Sequence, residues 1–153
     1  MFRKDDRFAF ALKALRRRDY AGAEVALSAW LEAESLGAPE RAFLLNKRGV
    51  ARIGMQRREQ AVEDFDAALK AQPAYAPALT NLGNLLFEAG DVQGAIARYE
   101  RAIASDSEYA VAHLNLGAAY KRAGRIADAV RALRQAERLE RRAKRYEVSV
   151  ASS

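Results

Sequence analysis

The sequence contains no cysteine and a single histidine, His113. The absence of cysteine excludes disulfides, thiolate zinc sites and cysteine nucleophiles, and the single histidine excludes metal sites built from several histidines. Proline is also scarce, and its three residues all lie in the middle of the chain. Because proline is the residue that a helix interior tolerates least, this scarcity favours a helical protein.

Long apolar runs are missing as well. The longest one, Phe8–Leu12, ends at Lys13 and is far too short to cross a bilayer. The N-terminal segment is charged and lacks a convincing cleavage site, so we expect no secretory signal. The sequence also lacks a phosphate-binding loop, a dinucleotide motif and a nucleophile elbow. We therefore expect a cytoplasmic protein that is not an enzyme and uses no cofactor and no metal.

Apolar side chains make up half of the 153 residues, and the formal net charge is +6. This apolar content is enough for one domain, or a short array of repeats, to bury a core. The positive charge is compatible with an acidic partner, nucleic acid or anionic lipid. The simpler interpretation is an arginine-rich surface in water, and we favour it.

Small residues recur along the sequence at a nearly constant interval. Four aligned alanines are 38, 34 and 34 residues apart: Ala23, Ala61, Ala95 and Ala129. Two further sets keep the interval of 34: Gly49, Gly83 and Gly117, and Ala68, Ala102 and Ala136. A period of 34 residues is typical of stacked helix hairpins.

Within one period the apolar residues have the spacing of two helices. They are Leu79, Leu82 and Leu86 in the first, and Ile96, Tyr99 and Ile103 in the second. Between them, Gly90 suits a left-handed helix end and Asp91 suits an N-cap. Neither helix, at roughly 13 residues, would be stable alone in water, so the two must pack on each other. The sequence predicts that Gly83 and Ala95 lie where they cross.

The array resembles the tetratricopeptide repeat family. Residues 42–75, 76–109 and 110–143 each match its pattern of small and large residues, although Arg48 and Arg52 stand where the family has Leu and Tyr. The first unit, about 4–37, is degenerate, with Trp30 in place of the last small residue. "APER" after it reads as a four-residue insertion.

The resemblance implies an all-α fold, a right-handed α-solenoid of about four helix–turn–helix repeats. We expect a single domain over residues 1–146. Because residues after Gly124 include no glycine or proline, we predict one extended C-terminal helix from about Ile126 to about Tyr146. Residues 147–153 are predicted to be a frayed tail.

In the family that this protein resembles, the first helices line a concave groove that binds peptide segments. The residues at groove-facing positions include Asn46, Lys47, Thr80, Asn81, Asn84, Phe87, Asn115, Ala118, Lys121 and Arg122. Asparagine suits such a groove because its amide both donates to and accepts from a peptide main chain. A clamp for a terminal carboxylate fits less well, since Thr80 stands where that clamp has lysine. The resemblance therefore predicts another protein as partner, bound through an extended peptide segment.

Two alternatives remain open. A homo-oligomer could form through the C-terminal helix or the atypical first unit. A basic patch on the last helix could instead contact nucleic acid or a membrane surface, although a solvated helix face explains it more simply. The patch consists of Arg138, Arg141, Arg142, Lys144 and Arg145.

Other conspicuous side chains have simpler structural interpretations. His113 is predicted to be a packing residue, and four aromatic residues at core spacing are predicted to be buried: Trp30, Phe65, Tyr99 and Tyr120. The acidic group Glu63, Asp64 and Asp66 spreads around a helix and is interpreted as a solvated surface.

Overall fold

The computed structural model of the protein describes residues 4–33 and 35–151. Within these ranges the protein forms eight helices and no strand. They are α1 (Lys4–Arg16), α2 (Tyr20–Ala33), α3 (Ala38–Gly54), α4 (Arg58–Ala71), α5 (Ala76–Glu88), α6 (Val92–Ser105), α7 (Ala110–Arg122) and α8 (Ile126–Ala151). The prediction of an all-α helical-repeat protein is confirmed.

The four-residue insertion lengthens one helix. Helix α3 has 17 residues, whereas α5 and α7 have 13 each. The residues read as an insertion, "APER", form the first turn of α3, where Pro39 is tolerated because the first amides of a helix have no partner inside it. The extra turn accounts for the single interval of 38 in a series of 34.

Four helix hairpins use the same turn, with one residue in the left-handed region. These residues are Arg18 (φ 61°), Gln56 (φ 61°), Gly90 (φ 89°) and Gly124 (φ 76°). After α5, Asp91 N donates to Leu86 O at 2.9 Å and Gly90 N donates to Phe87 O at 3.1 Å, which closes the helix end. Asp91 Oδ1 then accepts from Gly94 N at 2.9 Å, so both the predicted helix end and the predicted cap are confirmed.

The recurring glycines bring paired helices close together. A Cβ placed on Gly83 would lie 2.6 Å from Cε1 of Tyr99, and one on Gly49 would lie 2.5 Å from Cε1 of Phe65. The sequence predicts that Gly83 and Ala95 lie where the two helices cross, and the structure shows that the ring of Tyr99 fills the space beside Gly83. The absence of a side chain on the first helix therefore makes room for a large one on the second.

The protein divides into two compact units, Met1–Ala78 and Leu79–Ser153. In the first unit α2 packs against both α1 and α3, and α3 packs against α4. In the second unit α6 packs against α7, and α7 packs against α8. The expectation of a single domain over residues 1–146 stays a prediction.

The aromatic residues at core spacing are buried, as predicted: Trp30, Phe65, Tyr99 and Tyr120. His113 is half-buried, with Nε2 3.0 Å from the Ser107 carbonyl oxygen. The core is therefore built from large side chains surrounded by alanines, which suits helices that approach closely.

The last helix is longer than predicted. We expected it to end near Tyr146, but α8 continues to Ala151, so the frayed tail was wrong for residues 147–151. Residues 152 and 153 lie outside the described residues. Leu139 is buried, and the following residues 140–150 are all exposed. The final turns therefore extend past the residues that cover the rest of the helix.

Candidate functional site

In the second unit, a hydrogen-bonded asparagine pair joins two of the helices that the sequence placed at the groove. Asn84 on α5 accepts from Nδ2 of Asn115 on α7, with 2.8 Å between the nitrogen and Oδ1. The same Oδ1 accepts from the hydroxyl of Tyr99 on α6 at 2.8 Å. Three helices therefore meet at one amide oxygen.

The asparagine pair retains hydrogen-bonding capacity. The two donors use both acceptor sites of Asn84 Oδ1. Among the described residues, neither Asn84 Nδ2 nor Asn115 Oδ1 forms a hydrogen bond. Both side chains are half-buried rather than enclosed. The pair can therefore offer a donor and an acceptor side by side, the combination that a peptide main chain requires.

A basic edge lies on the same helices. Asn115, Ala118 and Arg122 are three and seven residues apart, which places them on one face of α7. The guanidinium carbon of Arg122 is 5.0 Å from the ring centroid of Phe87, and Arg122 Nη1 lies 3.5 Å from the Phe87 carbonyl oxygen. Ala118, Lys121 and Arg122 are exposed. Phe87 therefore supports a cation instead of presenting a bare apolar ring.

Two predicted groove residues are not on the surface. Thr80 is 1% exposed and Asn46 is 3% exposed. The equivalent of Thr80 in the last repeat, Leu114, is 45% exposed. The repeat position of a residue does not predict whether it is buried like Thr80 or exposed like Leu114, because the burial of a helix face depends on what packs against it. Thr80 and Asn46 are therefore removed from the candidate surface.

Two further predicted residues have partial access. Asn81 is half-buried and already interacts with another residue. Lys47, in the first unit, is half-buried with Nζ 5.3 Å from the ring centroid of Phe43. The residues that the structure brings together are thus Asn84 with Asn115 and Phe87 with Arg122. Lys121 and Ala118 lie beside them on α7.

Sequence reasoning missed a buried ionic network in the first unit. Asp64 was interpreted as solvated but is 2% exposed. Its carboxylate accepts from Nη2 of Arg48 at 2.7 Å and forms an ion pair with Nη1 of Arg52 at 3.0 Å. Arg52 Nε donates to Oε1 of Glu24 at 2.9 Å. The sequence did contain a signal for this network. Arg48 and Arg52 occupy repeat positions that are normally apolar, and a buried arginine requires an acidic partner. The network joins α2, α3 and α4 and is structural.

The basic patch on α8 is partly neutralised by ion pairs. Arg142 Nη1 lies 2.6 Å from Oε1 of Glu108, and Arg141 pairs with Glu137. Arg138, Lys144 and Arg145 are exposed on the same helix. Two of the five cations thus already have carboxylate partners. Phosphate binding by this patch stays a prediction.

Two buried tyrosines hold their protons tightly. Burial raises the pKa of Tyr99 to about 12. The pKa of Tyr120 is also raised to about 12, first by burial and then by its hydrogen bond to Glu100, whose Oε1 is 2.6 Å from the hydroxyl. Both hydroxyls are therefore neutral donors at physiological pH. They orient acceptors and are unsuited to act as bases.

The described residues include no group of three histidine, aspartate or glutamate side chains placed to hold a metal ion. In the same part of the protein, no helix combines the length and apolar character needed to cross a membrane.

Comparison with known families finds the repeat directly. A model described as "TPR repeat" matches residues 83–124, and a model described as "Tetratricopeptide repeat" matches residues 44–75 and 110–142. The matched segments coincide with the second, third and fourth repeats of the sequence.

Individual relatives share the same architecture. Ninety residues, 59% of this chain, are 31% identical to the heat-shock protein cognate (HSC) co-chaperone sgt12 of Aspergillus fumigatus, and they span about a quarter of that protein (25%). Pseudomonas aeruginosa pilF is similar in structure, with a TM-score of 0.76 and 25% identity, over 90% of this chain and 61% of that one. The second TPR of Spaghetti (RPAP3), bound to the HSP90 peptide SRMEEVD, has a TM-score of 0.61 and 21% identity, over 66% of this chain and 94% of that one.

The 34-residue period, the glycine–aromatic packing and the matches over three repeats all agree. This chain belongs to the tetratricopeptide repeat family.

Proposed function

We propose that this protein is a non-enzymatic protein–protein interaction module that binds an extended peptide segment of a partner on the face shared by α5 and α7. The observation that carries the proposal is the asparagine pair, in which Asn84 and Asn115 are joined at 2.8 Å. Its remaining donor and acceptor suit the N–H and C=O groups of one extended residue. No catalytic step is required of any side chain.

The charge of the face favours an acidic peptide. Lys121 and Arg122 are exposed at the end of α7, beyond the turns that bear Asn115 and Ala118. Exposed cations beside a main-chain site attract carboxylates and raise the association rate. A relative of this fold, the second TPR of Spaghetti (RPAP3), is bound to an HSP90 peptide that contains two glutamates and an aspartate.

Recognition by this face does not depend on a terminal carboxylate. The carboxylate clamp would need a lysine at position 80, where this protein has a buried threonine. An internal acidic segment, held by its main chain, suits the residues present better than a peptide terminus does.

The test begins with peptides selected on the purified protein from a random library displayed on phage. We expect enrichment of acidic sequences, and we expect Asn115→Ala and Lys121→Glu each to weaken a selected peptide by about three- to tenfold, the effect of one lost hydrogen bond or contact. Arg101→Glu, an equal charge change at an exposed position of α6, is the matched control.

The heptapeptide SRMEEVD provides a second probe, as the free acid and as the C-terminal amide. Equal binding of the two forms would support main-chain recognition. The proposal fails if no peptide is enriched, or if Arg101→Glu weakens binding as much as Lys121→Glu does.

A specific feature of α8 supports self-association as a second candidate function. The apolar side chains on one face of α8 form a stripe, and the stripe keeps the same spacing in the exposed last turns. The stripe is buried at Ala129, Ala132, Ala136 and Leu139 and exposed in its last two apolar side chains, Tyr146 (73%) and Val150 (59%). Where the apolar spacing of a helix face continues beyond the part that is buried, the exposed part can pack against another helix. A second copy of the protein would supply one.

A further inference from the structure

One face of α8 consists of arginine alone. Between positions 131 and 145, every side chain within an arc of about 100° around the helix axis is an arginine. We call this surface the arginine face. Its six residues are all exposed: Arg131, Arg134, Arg138, Arg141, Arg142 and Arg145.

The arginine face differs from the basic patch that the sequence predicted. Arg131 and Arg134 are added to it, and Lys144 lies outside the arc. The carboxylates of α8 lie outside the arc as well, at Asp128, Glu137, Glu140 and Glu147. The face therefore carries one sign of charge along its whole length.

Neighbouring carboxylates neutralise only half of the face. Three of the arginines form ion pairs, Arg131 with Asp128, Arg141 with Glu137 and Arg142 with Glu108. Among the described residues the other three have no ion pair or hydrogen bond: Arg134, Arg138 and Arg145. The paired arginines are also exposed, and exposed ion pairs are weak. A stronger anion can therefore displace their carboxylates.

The packing of α8 leaves the arginine face accessible. The side chains that are buried lie on the opposite side of the helix, at Ala129, Ala132, Ala136 and Leu139. Arg131 and Arg145 are separated by about 21 Å along the axis. Because one continuous helix carries all six arginines, their spacing is set before any ligand arrives.

The chemistry of the face favours a phosphate backbone over a protein or a lipid surface. A protein interface generally has an apolar core, and the arginine face has no apolar side chain. Insertion into lipid needs a broad apolar face, whereas the exposed stripe of α8 ends in only Tyr146 and Val150. Guanidinium groups bind phosphate in a bidentate manner, and about 21 Å of a nucleic acid duplex carries about 12 phosphates.

We propose that the arginine face of α8 binds the phosphate backbone of a nucleic acid duplex through charge, without reading the base sequence. The site uses none of the residues of the α5–α7 face. It is a second binding site, and its ligand is a polyphosphate instead of a peptide.

The test titrates the purified protein into a fluorescently labelled DNA duplex of about 20 base pairs at several salt concentrations. We expect a dissociation constant on the order of 10 μM near 50 mM salt. The slope of log affinity against log salt should be about −3 or steeper, because at least three arginines displace counterions. Absence of binding at this salt concentration, or a slope near zero, overturns the proposal. So does a preference above about tenfold for one of two unrelated duplex sequences.

Paired variants locate the site. Arg138→Gln combined with Arg145→Gln removes two cations that have no partner among the described residues. We expect at least about tenfold weaker binding and a slope smaller by about 2. Arg41→Gln combined with Arg101→Gln removes the same charge at exposed positions of α3 and α6, and should weaken binding less than about twofold. Equal losses in the two double variants would assign binding to net charge and contradict a site on α8.

Removal of an internal competitor should have the opposite effect. Glu108→Gln frees Arg142 and should strengthen binding at least about twofold. Glu59→Gln, the same change at an exposed position of α4, should have a smaller effect. An effect of Glu108→Gln no larger than that of Glu59→Gln contradicts a site that includes Arg142.

Competitors test the class of ligand. Poly-glutamate and phosphatidylserine vesicles, each at the charge concentration of the duplex, should leave most of the duplex bound. Full displacement by either would assign the face to acidic chains or to lipid and overturn the proposal. Asn115→Ala should leave duplex binding unchanged, so this site and the α5–α7 face can fail independently.

Discussion

Arg48 forms hydrogen bonds to both carboxylate oxygens of Asp64, at 3.0 Å from Nε to Oδ2 and 2.7 Å from Nη2 to Oδ1. The carboxylate is buried, and the Arg48 side chain is mostly so, at 18% exposure. The pair occupies a place where the repeat family has apolar packing. Removing one partner of such a buried ion pair strongly destabilises the folded state, whereas replacing all of its members with apolar residues often does not.

The first prediction concerns this network. Asp64→Asn should lower the free energy of unfolding by about 3–5 kcal/mol, because Arg48 loses its buried counter-charge and Arg52 keeps only Glu24. The triple variant Arg48→Leu, Arg52→Leu, Asp64→Ala should recover most of that loss. Urea denaturation measures both. A triple variant as unstable as Asp64→Asn would show that the ionic pairs themselves stabilise the hairpin.

A second prediction concerns the hairpin turns. Gln56 has φ 61°, a conformation that favours glycine, which stands at the equivalent Gly90. Gln56→Gly should raise the free energy of unfolding by about 1 kcal/mol. Gly90→Gln is the reciprocal control and should lower the free energy of unfolding by a similar amount. A Cβ at position 90 would meet no atom within 4 Å, so only backbone strain is introduced. Changes of the same sign in both variants would refute the explanation by strain.

The buried hydroxyl of Thr80 leads to a third prediction. Its Oγ1 has no hydrogen-bond partner among the described residues. Thr80→Val should therefore raise the free energy of unfolding by about 1 kcal/mol, whereas Thr80→Ser, which keeps the hydroxyl and loses a methyl, should lower it by about 1 kcal/mol. Peptide affinity of the α5–α7 face should be the same in Thr80→Val as in the wild type. A large loss of affinity would return Thr80 to the binding surface.

The fourth prediction is a pH dependence at alkaline pH. Burial raises the pKa of Tyr99 to about 12, above its ordinary value of 10.0, so the folded state holds this proton more tightly than the unfolded state. The resulting stabilisation is complete below pH 10 and is lost as the pH rises towards 12. Denaturation at several pH values should show this decline, and Tyr99→Phe should make it shallower. An unchanged decline in Tyr99→Phe would assign it to other groups.

The fifth prediction tests self-association through α8. Tyr146→Glu and Val150→Glu each place a charge on the exposed stripe and should lower the mass measured by light scattering at high protein concentration. Val148→Glu is the matched control, because it makes the same change as Val150→Glu at an exposed position off the stripe. A wild-type mass equal to that of a monomer would end this candidate function.

Much of the fold could be predicted because the repeat makes local signals agree. The repeat positions of Gly83 and Ala95 and the N-cap at Asp91 depend only on contacts within one helix hairpin. The end of α8 could not be placed, because no glycine or proline marks it and exposed polar turns carry no packing signal. Asp64 was misassigned for a related reason: its partners, Arg48 and Arg52, lie on another helix.

The candidate site was predicted less completely than the fold. Asn84 and Asn115 were identified individually, but the hydrogen bond that joins them depends on how α5 and α7 approach. Thr80 was assigned to the groove by its position, and only packing decides whether that position is covered.

The double acceptance at Asn84 Oδ1 fixes which way its amide faces. An isolated asparagine amide can turn by half a rotation and exchange its oxygen for its nitrogen. Here Tyr99 and Asn115 both donate to the same atom, so turning the Asn84 amide alone would bring its Nδ2 against Nδ2 of Asn115, two donors facing each other. The loss of rotational freedom has therefore already occurred during folding, and an arriving segment does not have to impose it. The peptide that we propose for this face should thus meet an asparagine pair that is already oriented before contact, with little entropic penalty on the protein side.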